Sequence, residues 1–338
     1  MSQPVTIKDI ARALGVSPST VSRALKDHPD ISPATKQQVR DLVEKLRYKP
    51  NAIALSLRSQ KSNVISVVVP EIVHHFFSSV IAGIDEVAQA QGYNVMIFQS
   101  SENYEREVAI LQAIESNRAE GVLVSIAKTT RNFGHFRELT DMNFPLVFFD
   151  RICEEIDTDR VIVDDFSGAM NAVEYLIKTG CKRIAHLAGP NHLLIAYQRK
   201  RGYISALEKN GLEVDDSLIF KCDTIEEAYK VVPELMKIDN PPDAIFAVND
   251  MTAVGALNSL KKLGYRIPED ISVLGFTDGL VSTVTDPPLS TISQHGFEMG
   301  RIAAEMLLER IANPDSGKKP DTIVIPTELI IRGTTRNI

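Results

Sequence analysis

The chain has 338 residues, of which 44% are hydrophobic and 24% charged, with a formal net charge of −7. That length exceeds one ordinary core and fits two or three compact units, and the balance of apolar to charged residues excludes a disordered chain. The charge is uneven: through Asn63 there are eleven Lys and Arg against five Asp and Glu, or +6, which leaves −13 for the remainder, and a basic head on an acidic body suits contact with a polyanion at one end only.

No run approaches the roughly eighteen apolar residues that a bilayer span requires. The opening MSQPVTIKD lacks the apolar core of a secretory signal, so a cytoplasmic protein with no membrane partner is expected. Cys153, Cys181 and Cys222 are odd in number, far apart and without C-x-x-C spacing. They read as small buried apolar residues, with neither a disulfide framework nor a zinc site.

The first predicted helix starts at Thr6, whose hydroxyl caps it with Asp9 as capping-box partner, and runs to about Leu14, where Gly15 breaks it. The next two helices open on Ser17-Pro18 and Ser32-Pro33, with serine as N-cap and proline where a missing N–H costs nothing. Val39, Leu42, Val43 and Leu46 give the third helix one apolar stripe. In TIKDIARALGVSPSTVSRAL, Ile10, Ala11, Leu14, Val16, Val21 and Leu25 can share one small core across the Gly15 turn. That arrangement is a helix-turn-helix, with small Ala11 at the crossing so that the second helix protrudes far enough to enter a major groove. Pro18, Ser19, Thr20 and Arg23 lie on its N-terminal and outward surface. The Arg23 guanidinium can donate two parallel bonds to guanine O6 and N7; a phosphate contact is the alternative.

From Lys45 to Asn63 there are five basic residues and no acidic one, and the basic segment from Tyr48 to Lys61 is the expected linker. Beyond it come apolar runs of strand length, ISVVV, NVMIF, GVLV, LVFF, VIV, IAHLA, AIFAV and ISVLGF, each followed by a stretch of helical periodicity. Strands without polar alternation are covered on both faces, so a parallel α/β architecture is expected, with enough units for two similar lobes. Ligands of open parallel sheets bind beyond the carboxyl ends of the strands. There stand Gln99 and Ser100, Asp150 and Arg151, Asp164 and Asp165, Asn249 and Asp250, and Thr277 and Asp278. Some of these are helix caps, and for Asp165 and Asp250 cap and ligand contact remain equally open. His74-His75 lacks metal-ligand spacing, so no metal and no cofactor are expected. The chain has no G-x-G-x-x-G, no G-x-x-x-x-G-K-[ST] and no G-x-S-x-G, and adjacent Asp164 and Asp165 at a strand end point to opposite faces; no catalytic residue is assigned and no enzyme is expected.

The pattern T-x-x-D-[IV]-A, G-V-S, T-V-S-R in the head resembles that of the LacI/GalR family of bacterial repressors. The likeness continues through YKPNAIALSLRSQKS, similar to the family's hinge helix, and over essentially the whole chain. It implies an all-α helix-turn-helix head in 1–49, a hinge helix or linker in 50–61, and in 62–338 a two-lobed α/β domain of periplasmic-binding-protein type with parallel sheets. The N-lobe would hold about 62–161 and 294–322, the C-lobe about 162–293 and 323–338. For DNA the resemblance implicates Thr6, Ser17, Pro18, Ser19, Thr20 and Arg23, and in the hinge Asn51, Ala54, Leu57 and Arg58, with Leu57 wedged into a central minor-groove step of the operator. A segment from Asn51 to Arg58 is about two turns, too short to be a stable helix alone, so it is expected to fold conditionally, in pairs on DNA.

For an effector the resemblance implicates Phe76, Phe77, Asp150, Asp164, Leu193, Ile195, Arg199, Thr224, Asn249 and Thr277. Leu193 and Ile195 stand where a purine-sensing member has polar contacts, and Thr277 where many members have aspartate, which disfavours guanine or hypoxanthine and favours a sugar or sugar derivative. A protein co-regulator or a phosphorylated metabolite is the alternative effector; a sugar-binding protein or an enzyme is a distant one. A homodimer on a pseudo-palindromic double-stranded operator follows. No heptad-rich tail follows Arg332, which favours dimer over tetramer.

Overall fold

The computed structural model describes residues 5–46, 48, 62–314 and 317–337. The expected hinge contacts Asn51, Ala54, Leu57 and Arg58 lie outside the described residues. The chain divides after Asn63 into two compact units.

The head contains α1 (Ile7–Leu14), α2 (Pro18–Leu25) and α3 (Pro33–Lys45). Each start is made locally. The Thr6 N–H and hydroxyl both donate to the Asp9 carboxylate, at 2.9 and 2.6 Å. Ser17 Oγ accepts from the Thr20 N–H at 3.0 Å, and Ser32 Oγ from the Thr35 N–H at 3.2 Å. Gly15 ends α1 at φ +65°, and the Val16 N–H returns to the Ala11 carbonyl at 3.0 Å, a left-handed stop that side chains with a Cβ resist. Ile10, Ala11, Val21, Ala24 and Val39 are buried together, with Leu14, Val16 and Leu25 packed against them. Ser17→Ala removes the cap that aims α2, and about 1 kcal/mol of head stability is expected to go with it, read as a lower urea midpoint.

The body opens with a six-stranded parallel sheet. Its strands are β1 (Val64–Val69), β2 (Asn94–Gln99), β3 (Val122–Val124), β4 (Leu146–Phe149), β5 (Asp159–Val163) and β11 (Thr322–Ile325), in the spatial order β11-β5-β4-β3-β1-β2. Alternate residues of β1 serve opposite faces, as the two-residue strand period requires. Ile65, Val67 and Val69 face α4 (His75–Ala90) and α12 (Gly296–Ala312), while Val68 faces α5 (Tyr104–Ser116) and α6 (Gly134–Asp141). Phe76 and Phe77, at the start of α4, join the first of these cores edge to face, with ring centroids 5.2 Å apart.

The second lobe holds a four-stranded parallel sheet, β7-β6-β8-β9, built from β6 (Ile184–Ala188), β7 (Ile219–Lys221), β8 (Ala244–Ala247) and β9 (Ser272–Leu274). Ala185, Leu187, Ile245 and Ala247 pack under α9 (Ile225–Leu235) and α10 (Asp250–Lys262). Ile184, Ala244 and Phe246 pack under α7 (Asp165–Lys178) and α8 (Leu194–Lys209). β10 (Thr291–Ser293) and β12 (Glu328–Ile330) form an antiparallel pair beside this sheet.

The chain passes between lobes three times, after Val163, after Ser293 and after Ile325. The first and third passages fall two to three residues beyond the expected boundaries at 161 and 322, because β11 pairs with β5 as far as Ile325 opposite Val163. Pro326 follows, which cannot extend a ladder. Cys153, Cys181 and Cys222 are buried free thiols. Among the described residues no helix is long and apolar enough to cross a membrane.

Candidate DNA-contacting helix and effector cleft

On α2, Val21 and Ala24 face the core, which turns Ser19 and Arg23, one helical turn apart, outward. Ser17, Pro18, Ser19 and Arg23 are exposed and Thr20 is half-buried. The Arg23 guanidinium makes no ion pair or hydrogen bond among the described residues, so its donors are available. Ser17 is committed to capping: besides the Thr20 N–H, its hydroxyl meets Ser19 Oγ at 2.7 Å and Thr20 Oγ1 at 2.8 Å. Thr6 is likewise a cap, tied to Asp9.

In the body, the carboxyl ends of both sheets carry one linked set of charges. Arg199, on α8, is buried. Its Nε donates to Asp165 Oδ1 at 2.7 Å, its Nη1 donates to the Val248 carbonyl at 2.6 Å, and its guanidinium lies 3.7 Å from the centre of the Phe276 ring. Burial pushes the Asp165 carboxyl up to about 6, and the Arg199 charge restrains that rise. Asp150, at the end of β4, is also raised by burial, against the pull of Arg151 and Arg199; the Ser125 hydroxyl donates to it at 3.2 Å. Arg151 in turn grips Glu102, donating to both carboxylate oxygens at 2.8 and 2.9 Å. Its Nε is buried with no hydrogen-bond partner among the described residues.

Among the described residues, Lys128 makes two polar contacts from one lobe to the other. Lys128, on the loop after β3, pairs with Asp223 beyond β7 at 2.6 Å, and the Lys128 carbonyl lies 2.8 Å from His192 Nε2. The Lys128 N–H donates to the Glu102 carboxylate at 2.6 Å, which ties this bridge to Arg151 and so to Asp150. Such an array of fixed acceptors and forked donors is suited to the hydroxyl groups of a polyol.

The remaining expected effector residues separate into three groups. Asp164, Thr224 and Asn249 are helix N-caps, accepting from the Ser167, Glu227 and Thr252 N–H groups. Asn249 also donates to the Asp223 carbonyl at 2.9 Å, so both ends of its amide are in use. Leu193 is buried ahead of α8 and Ile195 half-buried on its first turn. Phe77 belongs to the N-lobe core, whereas Phe76 also borders an opening of about 300 Å³ together with His75, Thr277, Asp278 and His295. Asp250 is a structural carboxylate, accepting from the Gly279 N–H and the Thr291 hydroxyl. Sequence reading missed Glu102, Lys128 and Asp223; the first two are reached by taking the strand-end rule a few residues further and applying it to GVLV as well. His74 pairs with Glu71 at 2.8 Å, and among the described residues no group of three His, Cys, Asp or Glu is placed to hold a metal ion.

Comparison with known proteins agrees with both halves of the chain. Residues 6–51 match the family model described as bacterial regulatory proteins, lacI family, and residues 62–333 match that of periplasmic binding proteins and sugar binding domain of LacI family. The chain is 33% identical to the HTH-type transcriptional repressor CytR of Escherichia coli (strain K12), over 98% of this chain and 96% of that protein. Among solved structures it is similar to the lac repressor dimer bound to operator and the anti-inducer ONPF, with 25% identity, a TM-score of 0.87 and coverage of 99% and 100% of the two chains. It is also similar to a transcriptional regulator CelR–cellobiose complex, with 27% identity, a TM-score of 0.74 and coverage of 98% and 99%. A helix-turn-helix head and a two-lobed parallel α/β body, each matched by its own model, place this chain in the LacI family of bacterial regulatory proteins.

Proposed function

We propose that the chain is a sequence-specific DNA-binding transcription repressor, acting as a cytoplasmic homodimer on a pseudo-palindromic operator and controlled by a sugar or sugar derivative held between the lobes of the body. The observation that carries the DNA half is the exposed Pro18, Ser19 and Arg23 face on a helix anchored by buried Val21 and Ala24. The sugar half is supported by the Asp150, Arg199 and Asp165 cluster at the strand ends and by the likeness to a regulator solved with cellobiose. A binding role rather than an enzymatic one fits cleft groups that are already paired with one another.

Selection of bound duplexes from a random pool tests the DNA half. The full chain is expected to enrich a two-fold symmetric site. Arg23→Ala is expected to lose roughly 5–150-fold of discrimination at one base pair of each half-site, the equivalent of about 1–3 kcal/mol. A variant that enriches the same site with the same stringency rejects base reading by Arg23.

A further inference from the structure

Between the lobes lies an opening of about 670 Å³. Its walls come from both lobes: Lys128 and Arg131 from the loop after β3, Gly189 and His192 from the loop after β6, Lys200 from α8 and Lys221 from β7. Among the described residues that line it, four side chains are cationic and none is a carboxylate. That composition is unexpected on a body that carries −13 after Asn63. Lys128 already holds Asp223, but Arg131, Lys200 and Lys221 make no ion pair or hydrogen bond through their side chains among the described residues. Uncompensated like charges around one concavity repel, and an anion relieves that repulsion. The sixteen-residue α8 adds to the field: its N-cap is Leu193, which has no side-chain oxygen to cap the first-turn N–H groups, and the loop leading into it forms part of the wall.

We propose that this opening holds the phosphate of a phosphorylated sugar. The size is that of a small-molecule site. Lys128 connects it to the inner groups, since its own N–H is bonded to Glu102, the partner of Arg151 beside Asp150. The ester phosphate sits among Arg131, Lys200 and Lys221, and the sugar lies against Lys128, Asn191 and His192 in the same opening. This assignment rests on the sugar-controlled reading above and specifies which form of the sugar is bound.

The test uses the full chain and a variant carrying Arg131→Gln and Lys221→Gln, two exposed positions whose change leaves the core untouched. Binding of inorganic phosphate, ribose, ribose 5-phosphate, glucose and glucose 6-phosphate is measured by calorimetry, with phosphorus NMR line widths as a second readout. Inorganic phosphate is expected to bind the parent and to lose at least tenfold affinity in the variant. Any sugar of the panel that binds is expected to do so at least tenfold more tightly as its phosphate ester, an advantage that shrinks in the variant and at higher salt. Phosphate that fails to bind the parent, or binds the variant equally well, overturns the proposal whatever the sugar. A free sugar that binds as tightly as its ester overturns it while leaving the sugar-controlled repressor intact.

Discussion

Arg199→Ala is expected to destabilise the body by about 3–5 kcal/mol at neutral pH, because it leaves buried carboxylates without their counter-charge. For a unit of this size that is a fall of roughly 6–20 °C in melting temperature. The guanidinium is the partner of Asp165, an electrostatic support of Asp150, a donor to the Val248 carbonyl and a plate against Phe276. The pH dependence separates lost charge from lost packing. The Asp165 pKa in the folded chain is already raised, to about 6 from an ordinary 3.8. The folded state therefore holds more protons than the unfolded one between those values, and stability falls as pH rises through that window. Removing Arg199 raises the folded pKa of Asp165 further and extends the window upward. The deficit of the variant relative to the parent is therefore expected to be smallest near pH 5 and largest near pH 8. His186, which burial holds down to about 4, contributes the opposite slope; the Arg199 charge adds a little to that depression, so its removal relieves the His186 penalty at the acid end and works in the same direction. Thermal denaturation at the two pH values decides it: an equal deficit at both means that packing alone is lost. Effector binding is expected to fail with the same substitution.

Gly300→Ala is expected to cost about 3 kcal/mol, the upper end for an overfilled core, with a fall of roughly 6–12 °C in melting temperature. Helices α4 and α12 touch backbone to backbone. A Cβ at Gly300 would lie 2.0 Å from the Val80 carbonyl oxygen, and one at Gly83, on the facing helix, 2.1 Å from the Phe297 carbonyl oxygen. Neither obstacle is the end of a flexible side chain, so relief requires the helices to part. That movement would disturb Phe76 and Phe77, which start α4 and belong to the core it shares with α12. The two substitutions act on one interface, so the double variant is expected to lose less than the sum of the singles. A melting temperature within 1 °C of the parent for Gly300→Ala contradicts this account of the helix pair.

The head is legible in sequence because its determinants are local. A Ser-Pro pair caps each of two helices, Thr6 and Asp9 close a box over four residues, and Gly15 forces one stop. Eight apolar runs correspond to β1 to β6, β8 and β9 for an equally simple reason: strands covered on both faces need few polar residues. β7 and β10 to β12 escape notice because three or four residues with one or two polar or charged members, such as Ile219–Lys221 or Thr291–Ser293, carry no periodic signal.

The cleft is legible only as a class. Polar residues follow the strands, but whether one serves a ligand or a helix is decided by contacts across the fold. Asp164 and Asp165 are neighbours in sequence; the first caps α7 and the second meets Arg199, 34 residues further on. The bridge from Lys128 to Asp223 joins loops of different lobes, and no local pattern foretells it.

The central claim is that occupancy of the cleft and the grip of the head on DNA are one coupled equilibrium. It is tested most directly by measuring the affinity of the full chain for its selected duplex without and with saturating effector, and then the affinity for the effector without and with the duplex. The account predicts a 5–150-fold change in the first, matched by the same factor in the second, as linkage requires. An unchanged duplex affinity, with calorimetry showing the effector bound, contradicts it.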